Sequence, residues 1–504
     1  MQPDLQDQAF FPMLTRLRVN GFKNLIDVDL HFGPFTCIAG ANAVGKSNLF
    51  DVMLFLKALM DAPIMDAAMA MRGEKRSVSD IRHLFTQTDK GIYLPLEIEA
   101  EMLVPPAGSD DLDQPAEART TFLVYSLELR YRPPAGAVSR PRIELVEETL
   151  EYIKKGEAHT HLPFRHTPKW RDSVVKGRHT SPYISTEIHE GEFRVVKLHQ
   201  DSSTSGGRTR LFQAEKLPRT VLSTVNAQES PTAVLARREM LNWRLLQLEP
   251  AALRAPDGFD APSQLAPSGA HLPATLFRLS QEQARDDGGH SAPEESSERG
   301  LTWIANRLSE LIDQVGRVGI DRDDKRELLT LLLTDRYGTE LPAKALSDGT
   351  LRFLALASIE IDPTLTGLIC MEEPENGIHP ERVGAMLRLL RDVAVDPGLA
   401  VDDDNPLRQV IINTHSPVVV GQVPDDTLVF AVPEQQVVEG SLIKGVSFRS
   451  LSDTWRTKAA HMAVIAKGKA LAFLQPVAEK GNPKRKGDDR RVMDREDLQP
   501  ELAL

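Results

Sequence analysis

The chain has 504 residues, of which 41% are hydrophobic and 26% charged, a composition ordinary for a soluble globular protein with more than one domain. Its formal net charge of −12 gives no support for nucleic-acid binding through bulk charge, although a local basic patch is compatible with it. No apolar run is long enough to span a bilayer and the first residues lack the layout of a signal peptide, so we expect a cytoplasmic protein without membrane contact.

The first predicted elements are a hairpin and a strand–loop–helix unit. Residues 13–33 alternate apolar and polar positions around Asn20-Gly21, which predicts the hairpin. A short buried strand, PFTCIAG, then runs into a glycine-rich segment and an apolar-periodic helix that extends to about Met60. The segment matches G-x-x-x-x-G-K-[ST] in full and consists of Gly40, Ala41, Asn42, Ala43, Val44, Gly45, Lys46 and Ser47, followed by Asn48.

This segment is typical of a phosphate-binding loop (P-loop). Glycines let backbone N–H groups turn around a β-phosphate, and the helix N-terminus adds partial positive charge. Lys46 can reach the β- and γ-phosphates and assist catalysis, and Ser47 can supply a hydroxyl to magnesium. ATP and Mg²⁺ are therefore the predicted ligands, and the flanking strand and helix argue against a chance glycine-rich turn.

The middle of the chain predicts two further units. Three strongly alternating runs between residues 92 and 153 predict an antiparallel β-subdomain. With the preceding elements it forms the N-terminal half of the predicted nucleotide-binding domain, called the head below, over 13–153. Residues 154–330 are polar and then helical, and we expect an inserted α-rich lobe with flexible loops there. Residues 331–450 form the predicted C-terminal half of the head, and 451–504 a helix with a charged, disordered tail.

A second half of the site is predicted downstream of the lobe. Ser347, Asp348 and Gly349 precede an apolar helix, and a helix N-terminus with a serine hydroxyl is a good γ-phosphate contact, although the same pattern also occurs as a plain helix cap. A buried strand then ends in Glu372-Glu373. We assign Glu372 to the magnesium shell, through water, and Glu373 to polarising the attacking water; a surface acidic pair is the alternative.

A last buried strand, RQVIIN, ends in Thr414-His415-Ser416. A histidine at the carboxyl end of a strand can act as a sensor of the γ-phosphate, and we include His415 among the catalytic residues. A lone histidine is more often structural. Its place as the fourth element after the P-loop, the Ser-Asp-Gly turn and the acidic pair favours the functional interpretation.

The order of P-loop, Ser-Asp-Gly signature, acidic pair, PENGIHP and THS resembles the ABC-type ATPases of the SMC, RecF and OLD class. It looks still more like the AAA-family ATP-binding proteins of bacteria and archaea, many tied to phage defence, and the stretches LRVNGFKN and WRLLQLEPAALR are also similar to that group. The resemblance implies an α/β fold: a P-loop NTPase with an ABC-type head (mixed central sheet, antiparallel β-subdomain) and an inserted mainly helical lobe.

The resemblance also implies a dimeric site. Ser347 to Gly349 would act in trans, on nucleotide held by another subunit's P-loop, and Pro374 to Pro380 would form the dimer-facing D-loop. Gln87 in LFTQTDK is a candidate for the family's Q-loop glutamine, which contacts the metal. Two departures stand out: the signature reads Leu-Ser-Asp-Gly-Thr instead of LSGGQ, and Glu372 occupies a position where many relatives have Asp.

The favoured function is an ATP-hydrolysing dimeric switch, acting in DNA-linked or anti-phage defence with a separately encoded nuclease or other effector. DNA is a further possible partner. The alternatives are an ATP-binding scaffold that holds an effector with little turnover, a DNA-repair ATPase and a transporter ATPase, the last disfavoured by the missing LSGGQ. Too little chain follows the last core strand for a Toprim nuclease domain of roughly 100 residues, so we expect no nuclease in this chain.

Overall fold

The structure is a computed structural model that describes residues 13–71, 78–134, 140–189, 191, 193–201, 209–286, 301–302, 304–309, 315–365, 367–402, 404–438, 440–466 and 468–470. Its strands are β1 Met13–Asn20, β2 Val28–His31, β3 Phe35–Ala39, β4 Leu96–Leu103, β5 Ala107–Ser109, β6 Pro115–Glu117, β7 Phe122–Arg132, β8 Arg142–Tyr152, β9 Ile184–His189, β10 Phe193–Leu198, β11 Arg210–Gln213, β12 Arg244–Leu246, β13 Asp257–Gly258, β14 Val315–Asp323, β15 Leu328–Asp335, β16 Glu340–Pro342, β17 Gly367–Glu372, β18 Arg408–Thr414, β19 Leu428–Val438 and β20 Ser441–Arg449. Its helices are α1 Lys46–Asp61, α2 Ile64–Ala70, α3 Ala158–His161, α4 Pro168–Val174, α5 Pro231–Asn242, α6 Pro250–Leu253, α7 Leu272–Asp286, α8 with the described residues 301–302 and 304–309, α9 Asp348–Ile361, α10 Pro380–Val393, α11 Pro417–Val420 and α12 Trp455–Lys458.

A six-stranded sheet in the order β12-β17-β18-β3-β19-β20 forms the centre of the molecule. The first five strands of that order are parallel, and β20 pairs antiparallel with β19. Strands β17 and β18 are near-continuous apolar runs with almost every residue buried, as expected for parallel strands covered on both faces. Because the carboxyl ends of parallel strands meet at one edge, the residues that follow β3, β12, β17 and β18 come together there.

An eight-stranded antiparallel sheet, β11-β10-β9-β8-β7-β4-β1-β2, lies beside this centre. Its alternating strands β4, β7 and β8 correspond to the three predicted runs, so the mixed central sheet and the antiparallel subdomain are both confirmed. One hydrophobic cluster joins α1, the inward side chains of this sheet and one face of the central sheet. A second cluster joins the other face of the central sheet to α9 and α10. Helix α1 is therefore held between the two sheets.

The segment 154–330, predicted as a helical lobe, contains helices α3 to α8, and its strands belong to three sheets. Strands β9 to β11 extend the antiparallel sheet by backbone pairing, and β10 adds the buried Val195, Val196 and Leu198. Strand β12 completes one edge of the central sheet. A separate four-stranded sheet, in which β13, β14 and β16 all adjoin β15, packs against α7.

The predicted C-terminal helix is interrupted in the structure. Among the described residues of this segment, α12 has four residues and a second helical stretch covers 468–470. Between them the chain turns at His461, whose φ of 52° is left-handed, and the backbone N–H of Ile465 donates to the carbonyl of Ser450. The predicted charged tail lies outside the described residues after 470. In the part of the chain that the structure describes, no helix is both long and apolar enough to cross a membrane.

Candidate nucleotide-binding site

The P-loop connects β3 to α1 and has a backbone that requires glycine. Ala43 and Gly45 adopt left-handed φ angles of 61° and 112°. A Cβ at Gly45 would lie 2.4 Å from the side-chain nitrogen of Asn24, and a Cβ at Gly40 would lie 2.8 Å from the carbonyl oxygen of Ala431. Both positions are too close for any side chain, so the loop keeps its tight curvature only with glycine at these two places.

Asn24 holds the P-loop from outside. Its side-chain nitrogen donates to the carbonyl of Val44 over 2.9 Å, and its side-chain oxygen accepts from the amide of Asn48 over 2.7 Å. Asn24 belongs to the stretch LRVNGFKN, whose family likeness the sequence had indicated without a structural reason. The structure supplies that reason, because this stretch fixes the loop.

Lys46 points back into the P-loop. Its Nζ donates to the carbonyls of Gly40 and Ala41 over 2.8 and 2.9 Å. Burial lowers the pKa of Lys46, while the nearby carboxylates of Glu373 and Glu372 act in the opposite direction. The ammonium is therefore placed inside the loop and close to carboxylates at the neighbouring strand end.

A polar cleft of about 740 Å³ opens at the carboxyl edge of the central sheet. It brings together much of the P-loop and both predicted glutamates with several residues that the sequence had not indicated. The lining consists of Asn42, Ala43, Gly45, Lys46, Ser47, Asn48, Gln247, Leu248, Glu249, Pro250, Arg352, Glu372, Glu373, Asn376 and Asn413. The P-loop and the two glutamates, predicted from distant segments, thus meet in one cleft.

Glu373 is held in a defined orientation. Its φ is 46°, and its backbone N–H donates to the backbone and side-chain oxygens of Asn413 over 3.0 and 3.2 Å. One carboxylate oxygen accepts from the side-chain amide of Asn376 over 2.9 Å, and the other lies 2.6 Å from Nδ1 of His415. Both carboxylate oxygens therefore have a fixed partner within the same chain.

These contacts set the charge of Glu373. Burial acts to raise its pKa, but the hydrogen bonds from Asn376 and His415 outweigh that effect and hold the pKa below its usual value. The side chain is therefore a carboxylate at neutral pH. A carboxylate at this place can accept a proton from water.

Glu372 has a different set of neighbours. Its Oε2 accepts from the side-chain amide of Gln247 over 3.1 Å, and its Oε1 lies 3.4 Å from the amide nitrogen of Asn413. Gln247 directly follows β12, the parallel neighbour of β17, which is why it reaches the strand end.

The assignment of Gln87 as the metal-contacting glutamine is corrected by this geometry. Gln87 is exposed, forms a β-bridge with Tyr93 and does not line the cleft. The backbone N–H of its neighbour Thr86 donates to the carbonyl of Gly21, which holds the segment against the antiparallel sheet. Gln247 is the glutamine that stands at the carboxyl edge.

A second network ties the D-loop segment, Pro374 to Pro380, to the His415 loop. The hydroxyl of Thr414 donates to the carboxylate of Glu375, and the N–H of Ser416 donates to the Thr414 hydroxyl over 2.9 Å. Burial raises the pKa of Glu375. Glu375 lies two residues after Glu373, and Thr414 and Ser416 flank His415. The two loops are therefore connected at a second place, which limits movement of one loop without the other.

The signature turn lies outside the cleft of its own chain. Ser347 caps α9, with its hydroxyl accepting from the N–H of Thr350 over 3.1 Å. A Cβ added at Gly349 would lie 3.2 Å from the carbonyl oxygen of Gly377, so the turn packs closely against the D-loop. Ser347, Asp348 and Gly349 are absent from the described residues that line the cleft.

The groups that line the cleft fit a nucleoside triphosphate with Mg²⁺. The P-loop offers backbone N–H groups and an ammonium for phosphates, while Ser47, Glu372 and Gln247 offer the oxygen ligands that Mg²⁺ prefers. Among the described residues no group of three or more His, Cys, Asp or Glu is arranged to hold a metal. Mg²⁺ in such sites is commonly held by one or two side chains together with water and substrate phosphates.

Comparisons with known proteins agree with this site. A family model described as "AAA domain, putative AbiEii toxin, Type IV TA system" matches residues 214–421. The chain is 25% identical over 192 residues to the DNA replication and repair protein RecF of Paenarthrobacter aurescens (strain TC1). That match covers 37% of this chain and 46% of the relative, so the chain spans less than half of the relative's length.

Solved structures of SMC heads are also similar. The SmcHead bound to the C-winged helix domain of ScpA has a TM-score of 0.41 and 14% identity, over 87% of this chain and 98% of that one. The SMC head domain from Thermotoga maritima has a TM-score of 0.34 and 10% identity, over 87% and 99%. By its P-loop cleft, the family model and the RecF relative, the chain is similar to ABC-type AAA ATPases of the SMC and RecF class.

Proposed function

We propose that this chain binds ATP with Mg²⁺ and hydrolyses it, with Glu373 as the base that activates water. The observation that carries the proposal is the Glu373 carboxylate in the P-loop cleft, ionised and held between Asn376 and His415. A surface acidic pair would not need two such partners. A positioned general base contributes roughly 10²- to 10⁴-fold to a rate.

The residues of the cleft have different roles, which follow from the chemistry of their side chains. The P-loop amides and Lys46 bind the phosphates, and Ser47 and Glu372 would hold Mg²⁺ with Gln247 beside them. When bound, Mg²⁺ neutralises charge on the phosphate oxygens. Glu373 takes a proton from the water whose oxygen bonds to the γ-phosphorus, and the bond from that phosphorus to the bridging oxygen breaks to release ADP.

We place the signature turn on the nucleotide of a second subunit. Ser347 and Gly349 lie at a helix N-terminus, which favours anions, but they do not line the cleft of their own chain. A dimer that sandwiches two ATP molecules would bring this turn to the partner's γ-phosphate. ATP binding would then close the dimer and hydrolysis would open it.

We further propose that this switch works in DNA-linked or anti-phage defence, with a separately encoded effector. The support comes from the descriptions of two similar groups. The RecF relative is a DNA replication and repair protein, and the description of the family model mentions a toxin and a type IV TA system. A role in DNA repair without an effector is the nearest alternative. Co-purification of neighbouring gene products would distinguish the two.

Phosphate release by the purified chain, with and without DNA, tests the enzymatic proposal. Glu373→Gln should lower the rate by at least about 100-fold while ATP still promotes self-association, measured by sedimentation. Glu97→Gln, which changes an exposed glutamate on β4 outside the cleft, is the matched control. If Glu373→Gln leaves the rate unchanged, the base assignment is wrong, and an ATP-binding scaffold with little turnover becomes the better description.

A further inference from the structure

The signature turn is anchored by an arginine from another part of the chain. Nη2 of Arg254 lies 2.5 Å from a carboxylate oxygen of Asp348 and donates to the carbonyl of Leu346 over 2.9 Å. One nitrogen therefore holds both the side chain and the backbone of the turn. The Asp348 side chain is 45% exposed and that of Arg254 25% exposed, so the pair lies at the surface that the proposed dimer would cover.

Arg254 stands at the end of a short, rigid arm that begins in the cleft. The arm starts at Gln247, which contacts Glu372, and passes through α6. Its Leu253 is fully buried, and the N–H and Nη1 of Arg254 both donate to the carbonyl of Pro250 over 3.2 Å. The arginine is therefore held by backbone contacts as well as by its carboxylate partner.

Asp348 creates an electrostatic problem for a phosphate-binding turn. If Ser347 and Gly349 contact a γ-phosphate, a carboxylate between them brings like charges together, which can cost several kcal/mol at an interface. Arg254 removes most of that repulsion by pairing with the carboxylate. Arg352, one helical turn further along α9, is close enough to Asp348 for the two charges to attract.

We propose that Arg254 is a positioning residue of the signature, which neutralises Asp348 and fixes the turn so that Ser347 and Gly349 can meet the partner's nucleotide. The inference rests on the proposed dimeric function. It explains how this chain functions with aspartate at a position where LSGGQ has glycine. The functional signature then consists of the turn together with the Arg254–Asp348 ion pair.

Self-association of the Glu373→Gln variant on addition of ATP and Mg²⁺, measured by sedimentation, tests this inference without relying on turnover. In that background Arg254→Ala should weaken ATP-promoted association on the order of tenfold or more, because it removes the direct ion-pair partner of Asp348. Adding Asp348→Gly should restore association, since it removes the carboxylate charge. Arg254→Lys should be intermediate, because one ammonium replaces a planar guanidinium.

The matched control is Arg449→Ala, which breaks an ion pair with Glu434 of similar exposure (27% and 36%) outside the cleft. It should associate as the Glu373→Gln parent does. Thermal unfolding and the affinity of each monomer for a fluorescent ATP analogue should be unchanged in the Arg254 variants, which separates an effect at the turn from misfolding or a damaged cleft.

Three outcomes overturn the inference. Association of Arg254→Ala equal to that of Arg449→Ala would mean that the ion pair has no role at the interface. Failure of Asp348→Gly to restore association would mean that Arg254 does not act through Asp348. If the Glu373→Gln parent with an intact signature shows no ATP-promoted association, the proposed dimer itself fails, and that result appears before any change at Arg254 is made.

Discussion

Replacing Asn376 with alanine removes one of the two hydrogen bonds that orient the Glu373 carboxylate. The amide nitrogen of Asn376 donates to this carboxylate over 2.9 Å, and the contact favours the ionised form. Hydrogen bonds to charged groups contribute about 1.5–3 kcal/mol, and the partial exposure of Glu373 places this one at the lower end. The loss of this hydrogen bond should therefore raise the pKa of Glu373.

The consequence is a shift in the pH dependence of turnover. Because Glu373 must be ionised to accept a proton, the acidic limb of the kcat profile should move to higher pH in Asn376→Ala. At neutral pH the rate should fall only several-fold, since the carboxylate stays ionised there and His415 still holds its other oxygen. Phosphate release at saturating ATP from about pH 4 to 8 measures both effects.

A control separates this effect from general destabilisation. Asn405→Ala removes comparable side-chain hydrogen bonds, to the carbonyls of Asp396 and Ala400, in a loop away from the cleft. Its pH profile should match that of the unsubstituted protein. An unshifted acidic limb in Asn376→Ala, with folding intact across the pH range, would refute the idea that Asn376 sets the charge and orientation of Glu373.

Three further predictions address the metal, the P-loop and the folded state. Gln247→Ala should raise the Mg²⁺ concentration needed for half-maximal turnover several-fold, whereas Gln87→Ala, outside the cleft, should not; equal effects would contradict the assignment of Gln247. Gly45→Ala should abolish ATP binding in equilibrium titrations, because its Cβ would collide with Asn24 in a left-handed backbone; retained binding would show that the loop can adjust. Burial raises the pKa of Glu148 from 4.5 to about 7, so its contribution to stability is present below 4.5 and lost as pH rises through 7. In chemical unfolding, Glu148→Gln should remove a decline of about 3 kcal/mol over that range, and an unchanged pH slope would rule this out.

The sequence predicts those parts of the site whose residues are adjacent along the chain. The P-loop is recognisable because its glycines, lysine and serine must follow one another between a strand and a helix. Glu372 and Glu373 are recognisable because two carboxylates at the end of a buried strand need a cation or a proton to transfer. Their meeting in one cleft follows from parallel strand ends sharing one edge.

The residues that sequence reasoning missed depend on pairing between distant segments. Strand β12 has only three residues, and no periodic pattern in the sequence indicates that it pairs with β17. The role of Gln247 is therefore not predictable from the sequence, although the stretch WRLLQLEPAALR that contains it carries a family likeness. Asn376 reaches back to Glu373 across a tight turn that begins at Glu373, which is itself left-handed with a φ of 46°. No local preference specifies that turn for a glutamate.

The strands that the sequence did not indicate have a related cause. Short strands such as β9 and β10 resemble polar loops until a neighbouring sheet edge is available to pair with them. The apolar pattern after 451 favoured a helix, but Arg456 is fully buried and donates to the carbonyls of His31 and Asp426, which fixes the chain in another direction. Tertiary contacts overrode local pattern in both places.

Two connections lead from the end of β17 to the signature turn of the same chain. The first runs from Glu372 through Gln247 and the arm to Arg254, which binds the turn. The second runs from Glu373 through Asn376 to the neighbouring Gly377, against which the turn packs. In the proposed dimer, the turn contacts the partner's nucleotide while both connections begin at carboxylates that serve the chain's own nucleotide. Loss of the Gln247 contact or of the Asn376 contact would therefore alter the surface offered to the partner, and the two sites of the dimer would be coupled through short chains of contacts instead of a long-range rearrangement.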